Sequence, residues 1–274
     1  MNTSYPCAKV NLGLNIVSKR PDGYHDIETV FYPIGLCDRL EIEKRDDAAL
    51  PYCRLNLNGM AIDGQAKDNL VVKAYSLLKE SYPQIPNISA SLTKNIPSQA
   101  GMGGGSSDCA FMIRMLNSEF NLGLSNGEMR TFAAKLGADC AFFITPSPAF
   151  ATGIGERLET INLDLSRYAF GIVKPPVAVS TKEAFANVKP HKPSKCCKDI
   201  VMQPIETWKY ELENDFEESI FMNHKEIGEI KQTLYRMGAV YAAMSGSGSA
   251  VFGIFNQVPE DFNSHFKNCF TAIV

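Results

Sequence analysis

Hydrophobic and polar positions alternate without a break over residues 8–16, with Ala8, Val10, Leu12, Leu14 and Ile16 set against Lys9, Asn11, Gly13 and Asn15. A period of two marks a half-buried strand and puts Lys9, Asn11 and Asn15 on one face. A solvated outer face is the ordinary reading, yet asparagine is unfavourable in strands and two of them need a reason. Pro21-Asp22-Gly23 supplies a turn, and residues 28–43 read as further strand with a break near Gly35. Asp68-Asn69 offers a cap for a helix through Val72, Tyr75, Leu78 and Lys79, and residues 89–93 form a short strand. Cys109, Met112, Ile113, Leu116 and Phe120 then fall on one helical stripe, with Ser106, Ser107 or Asp108 as N-cap. Ser125 and Glu128 make a capping box for the next helix, whose Phe132, Ala133 and Leu136 face inward before a stop at Gly137, and Asp139 lies just beyond.

A composition shift over 151–159 reads as a crossing between lobes, followed by a strand over 168–173 and a break at Pro175-Pro176. Ser180 with Glu183 starts another capped helix, and Ile227, Ile230, Leu234 and Met237 define an amphipathic one ending at Gly238. Strands and helices are interspersed without a regular βαβ period, which predicts an α+β fold rather than a doubly wound sheet. With 274 residues and 45% hydrophobic content, the chain has room for one large domain or two modest ones.

Charge and cysteine usage narrow the classes. A net charge of -3 argues against a broad surface that tracks nucleic-acid phosphates, and the densest cationic stretch, 189–198, reads as a solvated loop. The apolar runs at 141–144 and 251–255 fall far short of the ~20 residues of a membrane span. Lys9, Asn11 and Asn15 interrupt any secretory segment, so a cytoplasmic location is expected. Eight cysteines without a C-x-x-C pair read as reduced thiols, and the histidines at 25, 191, 224 and 265 form no recognisable metal pattern.

The segment "KNIPSQAGMGGGSSDCA" at 94–110 lacks the lysine that a P-loop needs after its last glycine. Gly101, Gly103, Gly104 and Gly105 still offer amides at a helix start, with the Ser106 and Ser107 hydroxyls beside them, a combination that suits a di- or triphosphate. The competing reading is a flexible loop with a serine cap. A kinase also needs a group to take or position the acceptor proton and a cation for the transferring phosphoryl group, for which Asp139 and Lys9 are candidates. Taken singly, Asp139 reads more readily as a helix-end cap or ion-pair partner and Lys9 as an exposed strand lysine, and spacing does not decide whether they meet. No G-x-S-x-G element surrounds Ser106, Ser107, Ser245, Ser247 or Ser249, which sets a serine hydrolase aside.

Seven segments carry a resemblance that spans nearly the whole chain: "AKVNLGLNIVSKRPDGYHDIETVFYPI" at 8–34, "DNLVVKA" at 68–74, "IPSQAGMGGGSSD" at 96–108, "LGAD" at 136–139, "GIGE" at 153–156, "NDFE" at 214–217 and "MSGSGSAVFG" at 244–253. Together they resemble the GHMP small-molecule kinase superfamily, and "RPDGYHDIETVF" resembles its cytidyl-substrate branch. The resemblance implies two lobes: an N-terminal lobe of ribosomal protein S5 domain 2-like type over 1–155 and a smaller α/β sandwich over 156–274. It further implies Mg2+-assisted transfer of the ATP γ-phosphate to the 2-hydroxyl of a cytidine diphosphate methylerythritol, by a monomer or weak homodimer. Asp139 matches the catalytic aspartate and Lys9 its partner lysine. Asn69, Lys94 and the glycine-serine segment match the ATP side. Asn11, Tyr24, His25, Phe31, Thr181 and Phe185 match the substrate side, the aromatic rings flanking the cytosine and His25 hydrogen-bonding it. Gly246, Ser247 and Gly248 resemble the motif that shapes the site near the substrate phosphates. The family pattern names no protein ligand for Mg2+. Cys140 stands where valine is usual, from which sensitivity to thiol reagents is expected.

Overall fold

The computed structural model describes residues 2–47, 51–62, 64–186 and 188–274. Its first half runs β1 (Asn2–Ser4), β2 (Cys7–Lys19), β3 (His25–Cys37), β4 (Arg39–Lys44), β5 (Cys53–Gly59), α1 (Leu70–Ser81), β6 (Ile88–Lys94), α2 (Gly104–Glu119), α3 (Asn126–Ala134) and a 3-10 turn over Ala138–Ile144. Then follow β7 (Ala149–Thr152), β8 (Arg157–Thr160), β9 (Ala169–Lys174), α4 (Thr181–Ala186), α5 (Cys197–Val201), α6 (Ile205–Glu211), α7 (Glu217–Asn223), α8 (Lys225–Arg236), β10 (Tyr241–Met244), β11 (Val251–Phe255) and β12 (Phe270–Ile273). Two compact units share these elements. The first holds Met1–Ala8, Gly35–Ser98 and Gly103–Pro146, the second Lys9–Ile34, Gln99–Met102 and Ser147–Val274. Compactness therefore follows a different line from one cut after residue 155, because most of β2 and β3 belongs to the second unit.

In the first unit, β1-β4-β6-β5 form one sheet, with β4 antiparallel and β5 parallel to β6. Ile88, Ala90, Leu92 and Lys94 of β6 are buried while Ser89, Ser91 and Thr93 are half-exposed, a period of two. Helix α1 starts where the sequence caps it: the Asn69 side chain accepts from the Val71 N–H at 2.9 Å, and Val71, Ala74, Tyr75 and Leu78 form the buried stripe. The capping box of Ser125 and Glu128 opens α3. This helix ends at Ala134, before the expected stop at Gly137, where the N–H groups of Lys135 and Leu136 tighten onto carbonyls three residues back, those of Phe132 and Ala133. At α2 the expected cap is corrected. Ser106, Ser107 and Asp108 lie inside the helix, and the N-cap is Gly103 at φ 69, left-handed backbone that glycine adopts without strain.

The second unit contains two four-stranded sheets, ordered β2-β3-β7-β8 and β10-β11-β9-β12. Residues 151–159 are no crossing: β7 and β8 pair antiparallel as a hairpin, from Ala149 opposite Thr160 to Thr152 opposite Arg157. The break expected near Gly35 falls instead at Asp38, between β3 and β4. Strand β2 departs furthest from its pattern, since every residue from Ala8 to Ile16 is buried and its polar face is enclosed. The stretch 189–198 is largely exposed, as expected of a solvated loop, although Cys197 is buried at the start of α5. Leu14 and Ile16 enter a core with Val173, Ile220, Ile227 and Phe255. Helix α8 turns Ile227, Ile230 and Leu234 into that core and gives way at Gly238, φ +95. Ile227 is fully buried. Its replacement by alanine is expected to cost about 2–5 kcal/mol, seen as a lower midpoint in urea unfolding.

Candidate functional site

In the first unit the glycine-rich segment enters α2 over a buried ion triad. Lys94 Nζ donates to Asp108 Oδ2 at 2.7 Å and to Asp38, while Asp38 Oδ1 accepts the Asn95 and Ile96 N–H groups at 2.6 and 2.8 Å. All three side chains are buried, so two carboxylates share one ammonium out of water. Burial pushes the Asp108 carboxyl up to about 7, against the pull of Lys94 and with repulsion from Asp38 adding to it. Burial also works against the Lys94 charge, but the two carboxylates outweigh it and raise its pKa. Above the triad, a Cβ at Gly104 would lie 2.9 Å from Ile96 Cγ2, so the helix start accepts only glycine without a shift. Ser107 Oγ and Asp108 Oδ1 are buried without a hydrogen-bond partner among the described residues.

Asp139 lies in the first turn of the 3-10 segment and is half-buried. The neighbouring Cys140 is fully buried, and a hydrogen bond from Cys109, followed by one from Ser106, lowers its pKa. Burial restricts the reagent access expected at Cys140. Cys7, Cys37, Cys196 and Cys269 are half-buried, and of these Cys196 has its pKa lowered, to about 7, chiefly by a hydrogen bond with Cys197.

Polar residues of β2 find their reason in the second unit. Lys9 Nζ donates to Asn11 Oδ1 at 2.6 Å and to the Gly101 carbonyl at 2.9 Å, and lies 4.9 Å from the centroid of the buried Phe31 ring. Asn11 Nδ2 donates to Thr29 Oγ1 at 2.9 Å, which donates on to the Gly13 carbonyl at 2.5 Å. Gly101 also accepts from Ser245 Oγ at 2.9 Å. Here backbones touch: a Cβ at Gly101, φ +71, would sit 1.8 Å from the Ser245 carbonyl oxygen. A Cβ at Gly246 would sit 3.1 Å from the Gly101 carbonyl and 3.3 Å from Asn11 Oδ1. Lys9, Asn11, Phe31, Gly101 and Gly246 thus form one cluster, with Ser247 and Gly248 in the loop that follows.

A second cluster in this unit is aromatic. His25 stacks on Phe185 with centroids 4.6 Å apart and planes 18° off parallel, and Phe185 presents its edge to Phe216 at 4.9 Å. Helix α4, which carries Phe185 and begins at the exposed Thr181, is tied by Glu183 to His224 at 2.7 Å. Tyr24 is 61% exposed in the preceding turn, its N–H donating to Asp22 at 3.1 Å. Sequence reasoning passed over Asp38, Asp108, Thr29 and Asn214 as polar partners. Asp108, Thr29 and Asn214 lie inside the quoted segments at 96–108, 8–34 and 214–217 and Asp38 outside them, but nothing local marked the partners, because pairing between distant residues leaves no local pattern.

Residues 69–146 match the family model "GHMP kinases N terminal domain" and residues 203–267 match "GHMP kinases C terminal". A 4-diphosphocytidyl-2-C-methyl-D-erythritol kinase from Bacteroides thetaiotaomicron is 54% identical over 92% of this chain and 91% of its own length. One from Parabacteroides distasonis is 48% identical over 97% and 96%. Among solved structures, a 4-(cytidine 5'-diphospho)-2C-methyl-D-erythritol kinase superposes with a TM-score of 0.79 at 29% identity, over 99% of this chain and 98% of that one. A homoserine kinase from Cytophaga hutchinsonii shares the fold, with a TM-score of 0.66 at 14% identity over 100% and 94% of the two chains.

The triad generates a pH-dependent expectation. Folded Asp108 holds its proton up to about 7, whereas an unfolded one releases it near 3.8. Its contribution to stability is therefore fully present below the unfolded value and is lost as pH rises through the folded one. Asp108→Asn is expected to flatten the decline in thermal midpoint between about pH 4 and 7 relative to wild type, measured by circular dichroism melts. Parallel pH profiles in the two proteins would show that Asp108 does not titrate in this range.

Proposed function

We propose that this chain, which belongs to the GHMP kinase family, transfers the γ-phosphate of ATP to the 2-hydroxyl of 4-diphosphocytidyl-2-C-methyl-D-erythritol in methylerythritol phosphate isoprenoid synthesis. The observation that carries the substrate reading is the stack of His25 on Phe185. An extruded pyrimidine needs an aromatic face and a polar partner for its edge, and these two residues, far apart in sequence, supply both in one place. Tyr24, the residue before His25, is exposed.

Each residue then has a role that its surroundings support. The amides at Gly103, Gly104 and Gly105, with the Ser106 hydroxyl, bind the nucleotide phosphates at the start of α2. Asn69 lies on the nucleotide side, and Lys94 acts from beneath the loop through Asp108. Asp139 takes the proton of the 2-hydroxyl as its oxygen forms a bond to the γ-phosphorus and the β–γ bridge bond breaks, releasing ADP. Lys9, steered by Asn11 and Gly101, offsets negative charge on the transferring group. Among the described residues no three His, Cys, Asp or Glu side chains gather as a metal-binding group. Mg2+ would be held mainly by nucleotide phosphate oxygens and water. When bound, the ion neutralises charge on the phosphates.

Purified protein with ATP and Mg2+ is expected to release ADP only when 4-diphosphocytidyl-methylerythritol is present, with a new phosphomonoester signal in phosphorus NMR. Turnover with homoserine or mevalonate instead, uninhibited by CDP, would overturn the substrate assignment. Asp139→Asn is expected to lower kcat on the order of 10²-fold or more while nucleotide binding, read by calorimetry, stays near wild type. Near-normal turnover would remove Asp139 from proton transfer. His25→Ala is expected to raise KM for the cytidyl substrate about tenfold or more with KM for ATP little changed. The reverse pattern would move His25 off the base.

A further inference from the structure

The "NDFE" segment has no part in the scheme above, yet its side chains reach the strand that carries Lys9 and the loop that carries Gly246. Strand β2 is an edge strand of its sheet, and residues 213–215 cover that edge. The Leu14 N–H donates to the Glu213 carbonyl at 2.8 Å and the Asp215 N–H to the Leu14 carbonyl at 2.9 Å. The Asp215 carboxylate continues the cover, accepting from the Ile16 N–H at 2.7 Å and from Asn15 Nδ2 at 3.2 Å. Asn214 faces the other way. Its buried carboxamide donates both hydrogens, to the Met244 carbonyl at 2.8 Å and the Gly246 carbonyl at 2.9 Å, while Oδ1 accepts the Phe216 N–H at 3.0 Å. Glu217 Oε1 takes the Met244 N–H at 2.7 Å.

We propose that Asn214 and Asp215 are positioning residues for phosphoryl transfer. They hold the strand that carries Lys9 and Asn11 and the loop that abuts Gly101 against one four-residue turn. The inference rests on the kinase reading above. Lys9 reaches the Gly101 carbonyl, which also takes the Ser245 hydroxyl, and Gly246 packs against that carbonyl. A displacement of the Met244–Gly246 backbone is therefore passed to the Lys9 ammonium through shared contacts, not through substrate. Asparagine is the side chain that fits. It offers two donors and one acceptor in one plane, whereas an aspartate of the same shape would set one oxygen, in place of the amide nitrogen, against two carbonyl oxygens in a buried place.

The test is steady-state kinetics and hydrogen exchange on Asn214→Asp, Asp215→Ala and Asp215→Asn beside wild type, with thermal melts of each. Asn214→Asp and Asp215→Ala are expected to lower kcat by about 10–10²-fold with both KM values within about threefold. Asp215→Asn keeps an oxygen for the Ile16 N–H and is expected to recover most of the loss. Faster exchange over 244–250 in Asn214→Asp and over 14–18 in Asp215→Ala accompanies the fall. A kcat within twofold of wild type in either folded variant, whatever the change in melting temperature, overturns the proposal, as does equal loss in Asp215→Asn and Asp215→Ala. Should Asn214→Asp not fold, the Asp215 pair decides. Absence of wild-type turnover with this substrate would sink the kinase reading instead, leaving exchange to report the positioning alone.

Discussion

An ammonium buried between two carboxylates is the constraint on which the glycine-rich segment depends. Lys94 ends β6, Asp108 lies in the second turn of α2, and Asp38 begins the approach to β4 while holding two backbone N–H groups after Lys94. Burying such a group is no efficient route to stability, because desolvation offsets much of the attraction. Its effect is positional. The strand end and the helix start cannot drift apart without exposing an unpaired charge to an apolar interior, so the intervening glycines, which carry no side chains of their own to pack, enter the helix at a defined place.

The second unit meets a similar demand by other means. Around Lys9 the ammonium meets an amide oxygen, a backbone carbonyl and the face of Phe31. Those contacts fix where the ammonium sits. Gly101 serves the same end, since a Cβ there would collide with the Ser245 carbonyl, and Gly246 packs tightly against the Gly101 carbonyl beside it. The aromatic cluster is built on packing instead: Phe185 is held edge-on by Phe216, and the short helix that carries it is anchored by Glu183 and His224.

Much of this was legible in the chain itself wherever the cause is local. The caps at Asn69 and Ser125, the amphipathic stripe of α8, the strand period of β2 and the glycine-led helix start each depend on neighbours within a few residues, and each left a readable pattern. The family motifs likewise directed attention to Lys9, Asn11, His25, Phe185 and the two glycine loops before any fold was known. Readings failed where local chemistry was ambiguous. Serines and an aspartate make good caps, but left-handed backbone at Gly103 moved the start of α2 ahead of them. The shift in composition at 151–159 was the turn of a hairpin.

What the sequence by itself determined, then, is the α+β class, most element positions and the identity of the polar residues that had to be explained. Tertiary structure alone decided their partners. Burial of both faces of β2 turned an apparently solvated row into an internal network, and the pairing of Lys94 with Asp38, of Asn214 with Met244 and Gly246, and of His25 with Phe185 joined residues that no period relates. The physical reason is one of range. Propensity, capping and alternation act through a few neighbouring residues, whereas the cost of burying a polar group is met by whichever distant atom the fold brings within hydrogen-bond reach.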